Sequence, residues 1–338
     1  MLEIDGALGE GGGQVLRSAL ALSLLTQTPF RLINIRARRP KPGLRAQHLK
    51  AVEAAMEIGA ARVEGAALGS SQLVFVPRRI RCGDFRFDIG TAGSTSLVLQ
   101  TVLLPLCRAG GASHLTITGG THVPWSPCFD YLQLQWLPYM REIGLCAEAR
   151  LERAGFYPRG GGRIAAIIQP SAAWRPLHLM ERGTLKVIRG TSAVAQLDVR
   201  IAERQRRQAL TRLHGRPVRI DVVNLPSGSP GAMLLLLAQF EYAQACYFAL
   251  GARGKPAERV ADEAVDALEQ FLATDGAIDQ YLADQLIVPL AFTGDISELR
   301  TSRVTQDLIT NCDVVKRFLA ADIRIDGKLG QPGLVVLS

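Results

Sequence analysis

Several things are scarce in these 338 residues, and each scarcity closes a route. Cysteine occurs six times, as Cys82, Cys107, Cys128, Cys146, Cys246 and Cys312, and no two form a C-x-x-C pair. That spacing excludes a zinc ribbon, a thioredoxin-like redox motif and a disulfide scaffold, and the six read instead as buried thiols in a reducing cytosol. No apolar run reaches about 18 residues without polar or turn interruptions, and no charged-then-apolar leader is present, so the expectation is a cytoplasmic protein with no membrane partner. The one glycine-dense stretch near the start is not followed by Lys-Ser or Lys-Thr. Gly9, Gly11 and Gln14 also break the G-x-G-x-x-G register, so neither a P-loop nor a dinucleotide fingerprint is at hand.

What is present is a chain with 48% hydrophobic residues, long enough for two domains with a sizeable core. Its net charge of +8 suits a polyanionic partner. Gly9-Glu10-Gly11-Gly12-Gly13-Gln14-Val15-Leu16-Arg17 packs glycines, a carboxylate and a guanidinium into the entry of an apparent helix. Glycines let backbone N–H groups approach an anion, and the helix N-terminus favours negative charge. Arg17 offers a fork for phosphate oxygens, and Glu10 suits the metal ion that travels with a nucleotide. A turn with no ligand is the plain alternative.

Cationic residues fall in two clusters. Arg31, Arg36, Arg38, Arg39, Lys41, Arg45 and Lys50 occur with no acidic residue among them, just after the glycine turn and its helix, and read as functional. Arg200, Arg204, Arg206, Arg207, Arg212, Arg216 and Arg219 are opposed within their own stretch only by Glu203, and read as a solvated face.

The chain repeats itself. A helix over Gly11 to Leu25, a strand at Leu32–Ile35, a second helix from Pro42 to Gly59 and a strand at Ala61–Val63 are matched by four later segments. These are Gly90 to Leu106, Leu115–Thr118, Pro127 to Gly144 and Cys146–Ala149. A third copy runs Tyr281 to Ala291, Glu298–Thr301, Leu308 to Leu319 and Asp322–Asp326. The expected fold is α/β, with three pseudo-symmetric repeats of a four-stranded sheet and two helices. Residues 1–180 and 275–338 form that body, and residues 181–274 form a smaller inserted α/β domain. Within the insert, Lys186–Gly190 and Val218–Val223 read as strands, and Val199–Leu213, Ala232–Leu250 and Ala257–Leu272 as helices. Gln14, Gln100 and Asp284-Gln285 occupy corresponding first helices of the three copies, and converge at the centre if the copies are related by symmetry.

Seven segments in order now make a resemblance specific: GEGGGQVLRS at 9–18, RPKPGLRAQHL at 39–49, SLVLQT at 96–101, GGTHVPWSP at 119–127, GFYPRGGG at 155–162, YLADQL at 281–286 and VTQDLITN at 304–311. Over nearly its full length the chain resembles RNA 3′-terminal phosphate cyclases. The resemblance implies three repeats plus one inserted domain, and ATP-dependent conversion of an RNA 3′-phosphate to a 2′,3′-cyclic phosphodiester through enzyme-AMP and RNA-adenylate intermediates. It implies ATP and Mg²⁺ or Mn²⁺ as cofactors and RNA with a 3′-phosphate end as partner, while the oligomeric state, monomer or homodimer, stays open. Residue by residue, it makes Glu10 the metal-facing carboxylate, and Arg17 and Arg39 catalytic phosphate clamps. Gln100, Pro127, Tyr131, Tyr281, Leu282, Ala283, Asp284 and Gln285 become the ATP pocket, while Arg36, Gln47 and Gln14 border the RNA end.

One position departs from the family pattern. The adenylated histidine of V-T-Q-H-x-x-T-N is Asp307 here. A neutral imidazole attacks phosphorus readily and leaves readily, whereas a carboxylate repels a triphosphate and would form a mixed anhydride. The expectation is impaired self-adenylation. The five histidines, His48, His114, His122, His178 and His214, all lie outside the third copy. His48 and His122 stand in motif segments, where a structural or substrate-facing role fits them. Two other readings stand beside the cyclase: a non-catalytic, cyclase-like RNA-binding or ribosome-assembly protein, and an enolpyruvyl transferase, whose usual six copies exceed the three found here.

Overall fold

The structure, a computed structural model, describes residues 1–9 and 11–338. Glu10 lies outside the described residues. The chain begins with β1 (Leu2–Asp5), α1 (Gln14–Thr26), β2 (Phe30–Ile33), α2 (Ala46–Ile58), β3 (Arg62–Glu64) and β4 (Leu73–Val76). It continues with β5 (Gly83–Asp88), α3 (Thr95–Leu106), β6 (Ser113–Gly119), α4 (Phe129–Tyr131), a π-helical turn at Leu132–Trp136, α5 (Leu137–Ile143), β7 (Ala147–Arg153) and β8 (Gly162–Ile168). A short β9 (His178–Leu179) precedes β10 (Leu185–Ala195), α6 (Arg200–Arg212), β11 (Val218–Asn224), β12 (Gly231–Phe240), β13 (Gln244–Leu250) and α7 (Ala257–Leu272). The chain then forms α8 (Gln280–Leu290), β14 (Ser297–Thr301), α9 (Gln306–Phe318), β15 (Ile323–Asp326) and β16 (Gly333–Leu337).

The fold is mixed α/β, with four four-stranded sheets among the described residues. Their orders are β1-β2-β4-β3, β5-β6-β8-β7, β9-β14-β16-β15 and β11-β10-β12-β13. In the first three the first two strands are parallel and the other pairings antiparallel; a helix follows each of the first two strands in the first two sheets, and follows β14 in the third. The helices mesh in a ring: α1 packs on α9, α3 on α2, and α8 on the π-helical turn and α9. Their inward positions explain this. α1 and α3 are apolar nearly all round and are buried along most of their length, as befits helices covered on several sides. One continuous core joins the three sheets, with Phe30, Phe75, Val98, Leu103, Leu282 and Leu308 all fully buried.

Three local expectations need correction. Of the six cysteines, Cys82 and Cys146 are exposed and only the other four are buried. The strand foreseen at Leu32–Ile35 ends at Ile33, because Asn34 turns to φ 53° and closes the strand. More substantially, Ala232–Leu250 is no helix: it is the β12–β13 hairpin, with the chain turning at Glu241-Tyr242-Ala243. Leucine and alanine favour helix locally, but β12 is an inner strand flanked by β10 and β13 and buried along nearly its whole length. A strand there is a continuous apolar run with no alternation to reveal it.

The second cationic cluster is a helix seam. Arg204 forks onto Glu258 with bonds of 2.8 and 2.7 Å, and Arg212 reaches Asp262, Asp266 and Glu269 at 2.8–3.0 Å, so α6 is bound to α7 by opposite charge. Among the described residues no helix is long and apolar enough to cross a membrane.

Candidate functional site

Helix α1 starts immediately after the glycine segment, and its first turns face α9. Gln14 donates through Nε2 to Asn311 Oδ1 at 3.2 Å, and Ser18 Oγ donates to the same oxygen at 2.5 Å. The other end of the Asn311 amide donates to the Asp284 backbone carbonyl at 2.8 Å, so one side chain fastens α1, α8 and α9 together. Gln14 Oε1 in turn accepts from Arg17 Nη2 at 2.6 Å and aims the guanidinium.

Around Arg17 the charges are concentrated. Burial lowers its pKa to about 10, opposed by the negative charges of Asp307 and Asp284, so it stays cationic at neutral pH. Arg36 is also shifted down by burial, then by the positive charges of Arg39 and Arg45. His48 is pushed to about 3, first by burial and then by Arg17, Arg36 and Arg45. Four guanidinium groups therefore act on one small region, around an imidazole that stays neutral. His48 Nδ1 accepts the Arg45 backbone N–H at 3.3 Å, which leaves the proton on Nε2. That nitrogen lies against Gly13, where a Cβ would sit only 2.4 Å from His48 Nε2 and 2.8 Å from Arg17 Nη1. A Cβ on Gly12 would meet Arg39 Nη2 at 3.2 Å. The glycines thus give cationic side chains room to lie over the backbone at the mouth of α1.

Asp284, on α8, carries a buried Oδ1 without a hydrogen-bond partner. Burial and then the charge of Asp307 raise its carboxyl well above the ordinary range, with Arg17 opposing. Asp307 itself is exposed in the first turn of α9, which Thr305 caps by accepting the Leu308 N–H at 3.1 Å. Next to Asp284, Gln285 Oε1 accepts from Gln100 Nε2 at 2.8 Å, linking α8 to α3. The sequence-identified residues Gln14, Arg17, Arg36, Arg39, Gln100, Asp284, Gln285 and Asp307 are thus gathered on the N-terminal halves of α1, α3, α8 and α9 and on the basic loop.

The others are placed differently. Gln47 Oε1 accepts the Ser94 N–H at 2.9 Å and holds the turn before α3. Leu282 and Ala283 are fully buried in the core, whereas Tyr281 beside them is exposed. Pro127 is half-buried at the end of its loop. Tyr131 is buried, and its hydroxyl donates to Asp279 Oδ1 at 3.0 Å.

Asp279 was not singled out by the sequence reading, and it is a hub. Its carboxylate caps α8 by accepting the Tyr281 and Leu282 N–H groups at 3.0 and 2.8 Å, and takes Gln135 Nε2 at 2.7 Å. Burial raises its pKa to about 6, against those hydrogen bonds. An Asp one residue before a helix was the available signal, since that is the N-cap position. His122, buried, bonds through Nε2 to Asp130 Oδ2 at 2.7 Å and stacks on Phe156 at 4.9 Å, a structural placement.

Comparison with known proteins fits this arrangement. A family model described as RNA 3′-terminal phosphate cyclase matches residues 8–325. A protein of that name from Methylococcus capsulatus is 44% identical over 98% of this chain and 94% of its own length. One from Thermococcus gammatolerans is 43% identical over 99% and 97%, and one from Pseudomonas fluorescens is 46% identical over 97% and 94%. A solved enolpyruvyl transferase, NikO from Streptomyces tendae, superposes with a TM-score of only 0.30 at 13% identity over 50% of this chain and 33% of its own, and bears on neither fold nor function. The chain belongs to the RNA 3′-terminal phosphate cyclase family.

Proposed function

We propose that this chain binds ATP at the converging ends of α1, α3, α8 and α9 and acts on RNA 3′-phosphate ends as a cyclase, with self-adenylation limited by Asp307. The observation that carries the reading is the placement of His48, Arg17 and Arg39 against Gly13 and Gly12 at the mouth of α1, with Arg36 and Arg45 adding positive charge around the same imidazole. A triphosphate together with a terminal RNA phosphate suits such a concentration of guanidinium groups, which fork onto phosphate oxygens. The unpartnered Asp284 oxygen and the Gln100–Gln285 pair provide the polar edge that an adenine amino group and ring nitrogen need, and exposed Tyr281 provides a face for the ring.

In this reading Arg17 and Arg39 hold phosphate oxygens, Arg36 and Gln47 lie toward the RNA end, and His48 Nε2–H is a neutral donor at the glycine segment. A side chain at 307 attacks the α-phosphorus and pyrophosphate departs with the electron pair of the broken P–O bond. AMP then passes to the RNA 3′-phosphate, and the vicinal 2′-hydroxyl displaces it as the ring closes. Among the described residues no group of three or more His, Cys, Asp or Glu side chains is poised for a metal. Glu10, outside the described residues, is the carboxylate that would face a divalent cation, Mg²⁺ or Mn²⁺, arriving with the triphosphate.

The recurrent strand order and the ring of helix contacts support reading the body, 1–180 and 275–338, as three copies of one unit, with 181–274 inserted between the β9 and α8 segments of the third. A second reading, an RNA-binding protein without catalysis, draws on the charge of Asp307, which favours the cation Arg17 that would otherwise serve a phosphate. Transfer of label from α-labelled ATP to the protein, followed by cyclisation of a 3′-phosphorylated oligonucleotide, decides between them. No labelled protein and no cyclic end, with Asp307→His as well, would sink the cyclase reading.

A further inference from the structure

Two large aromatics stand in solvent on neighbouring loops. Trp125 is 99% exposed and Tyr157 68% exposed. Trp125 adopts φ 63°, a left-handed conformation that costs a bulky residue about 1–2 kcal/mol and is kept only where surrounding structure holds it. The hold is evident. Phe129 N donates to Thr121 O at 2.9 Å and closes the loop that displays Trp125. Thr121 N and His122 N both donate to Gly155 O, Gly155 N returns a bond to Thr121 Oγ1, and His122 stacks on Phe156. The Tyr157 loop is closed by Gly160 N to Phe156 O at 2.7 Å and anchored by Ser229 Oγ.

The same loops abut the candidate site. A Cβ on Gly160 would lie 2.8 Å from Ala92 Cα, so this loop sits on the turn before α3, and that turn is held by Gln47 of the basic segment. These contacts join the Trp125 loop to the Tyr157–Arg159 loop, and that loop through the 90–94 turn to Gln47 of the basic segment, as one rim. Arg159 is exposed beside Tyr157. The carboxylates along the rim are engaged: Asp130 with His122, and Asp88 with the Gly90 N–H.

We propose that Trp125 and Tyr157 are a stacking platform for the bases of a single-stranded RNA just upstream of its 3′-phosphate, with Arg159 and the basic loop tracking its backbone. The proposal rests on the cyclase reading and adds where the strand lies. Flat π faces interspersed with guanidinium groups suit nucleobases and phosphates, and lack the contiguous aliphatic surface of a protein-docking patch.

Of the three tryptophans only Trp125 is exposed, with Trp136 at 3% and Trp174 at 6%, so intrinsic fluorescence reports on the platform directly. A 3′-phosphorylated RNA hexanucleotide is expected to quench the wild-type protein but not Trp125→Phe. By anisotropy, Trp125→Ala and Tyr157→Ala should each weaken hexamer binding roughly tenfold, with Trp125→Phe retaining most of the affinity. Uridine 3′-monophosphate should bind all four proteins equally. Hexamer binding indifferent to both alanine variants, while ATP still binds, overturns the platform alone; loss of RNA and ATP binding in the wild type overturns the cyclase reading with it. A dimer that falls to monomer in Trp125→Ala gives the face to a second copy and also overturns the proposal.

Discussion

Gln100 and Gln285, 185 positions apart in the chain, meet in a single 2.8 Å hydrogen bond that ties α3 to α8 beside the buried Asp284 oxygen. The bond fixes the Gln285 carbonyl and leaves its amide N–H groups for a ligand. Gln285→Glu keeps the acceptor and removes those donors, whereas Gln285→Ala removes both. Calorimetry should find ATP affinity reduced about tenfold in each, while only the alanine variant loses about 1 kcal/mol of stability. Unchanged ATP affinity in Gln285→Glu would remove this residue from the nucleotide site.

Gly13 tests the glycine segment by space alone, because its φ of −77° suits any residue. An added methyl would meet His48 Nε2 and Arg17 Nη1 at 2.4 and 2.8 Å. Displacing both should cost Gly13→Ala about 1–3 kcal/mol and abolish the rise in Tm that ATP gives the parent protein. Gly12→Ala, facing only the mobile end of Arg39 at 3.2 Å, should keep most of that rise. Equal thermal shifts in the two variants would argue that phosphates bind elsewhere.

The arginine and glutamine side chains at the helix ends were legible in the sequence because spacing within motifs survives folding. What they grip was not. Asn311 stands at the end of a motif, yet its role as the bond between α1, α8 and α9 depends on three segments distant in sequence. Tyr131 was marked only through the resemblance, and its burial against Asp279, just before a π-helical turn that no periodicity discloses, was not foreseen. The β12–β13 hairpin was misread for the complementary reason: an inner strand loses the alternation that distinguishes it from a helix. In the second arginine cluster only Glu203 opposes the charge along the sequence, since the partners of Arg204 and Arg212 stand on α7.

Asp307→His should restore labelling from α-labelled ATP, by roughly 100-fold or more over the parent, because imidazole is the better nucleophile near neutrality. The change has two further consequences. Removing a negative charge from the first turn of α9 should cost about 0.3–1 kcal/mol. It also withdraws the charge that raises Asp284, so that carboxyl should titrate lower, which carbon-detected NMR of labelled aspartate can follow. Unlabelled Asp307→His protein with intact ATP binding would place the nucleophile elsewhere.

Asp279 carries the clearest pH signature. Its carboxyl ionises near 3.8 in an unstructured chain and at about 6 when folded, burial outweighing the hydrogen bonds it accepts. Between these values the native protein holds more protons than the unfolded one, so this group's contribution falls as pH rises. It is fully present below pH 3.8, is lost as pH rises through 6, and is constant beyond. The shift corresponds to about 3 kcal/mol. Asp279→Asn removes the titration yet keeps a good helix cap, and a turned Gln135 amide can offer its unpartnered Oε1 to the new NH₂ group, giving up the bond from its Nε2 to the Gln244 carbonyl at a cost that does not vary with pH. Urea unfolding of both proteins from pH 4 to pH 8 should therefore show the stability difference, parent minus variant, declining up to about pH 6 to 7 and then level. A flat difference across the series would mean that the buried carboxyl stays ionised throughout, and that the cap of α8 holds its charge at the junction of Tyr131, Gln135 and the Tyr281 segment.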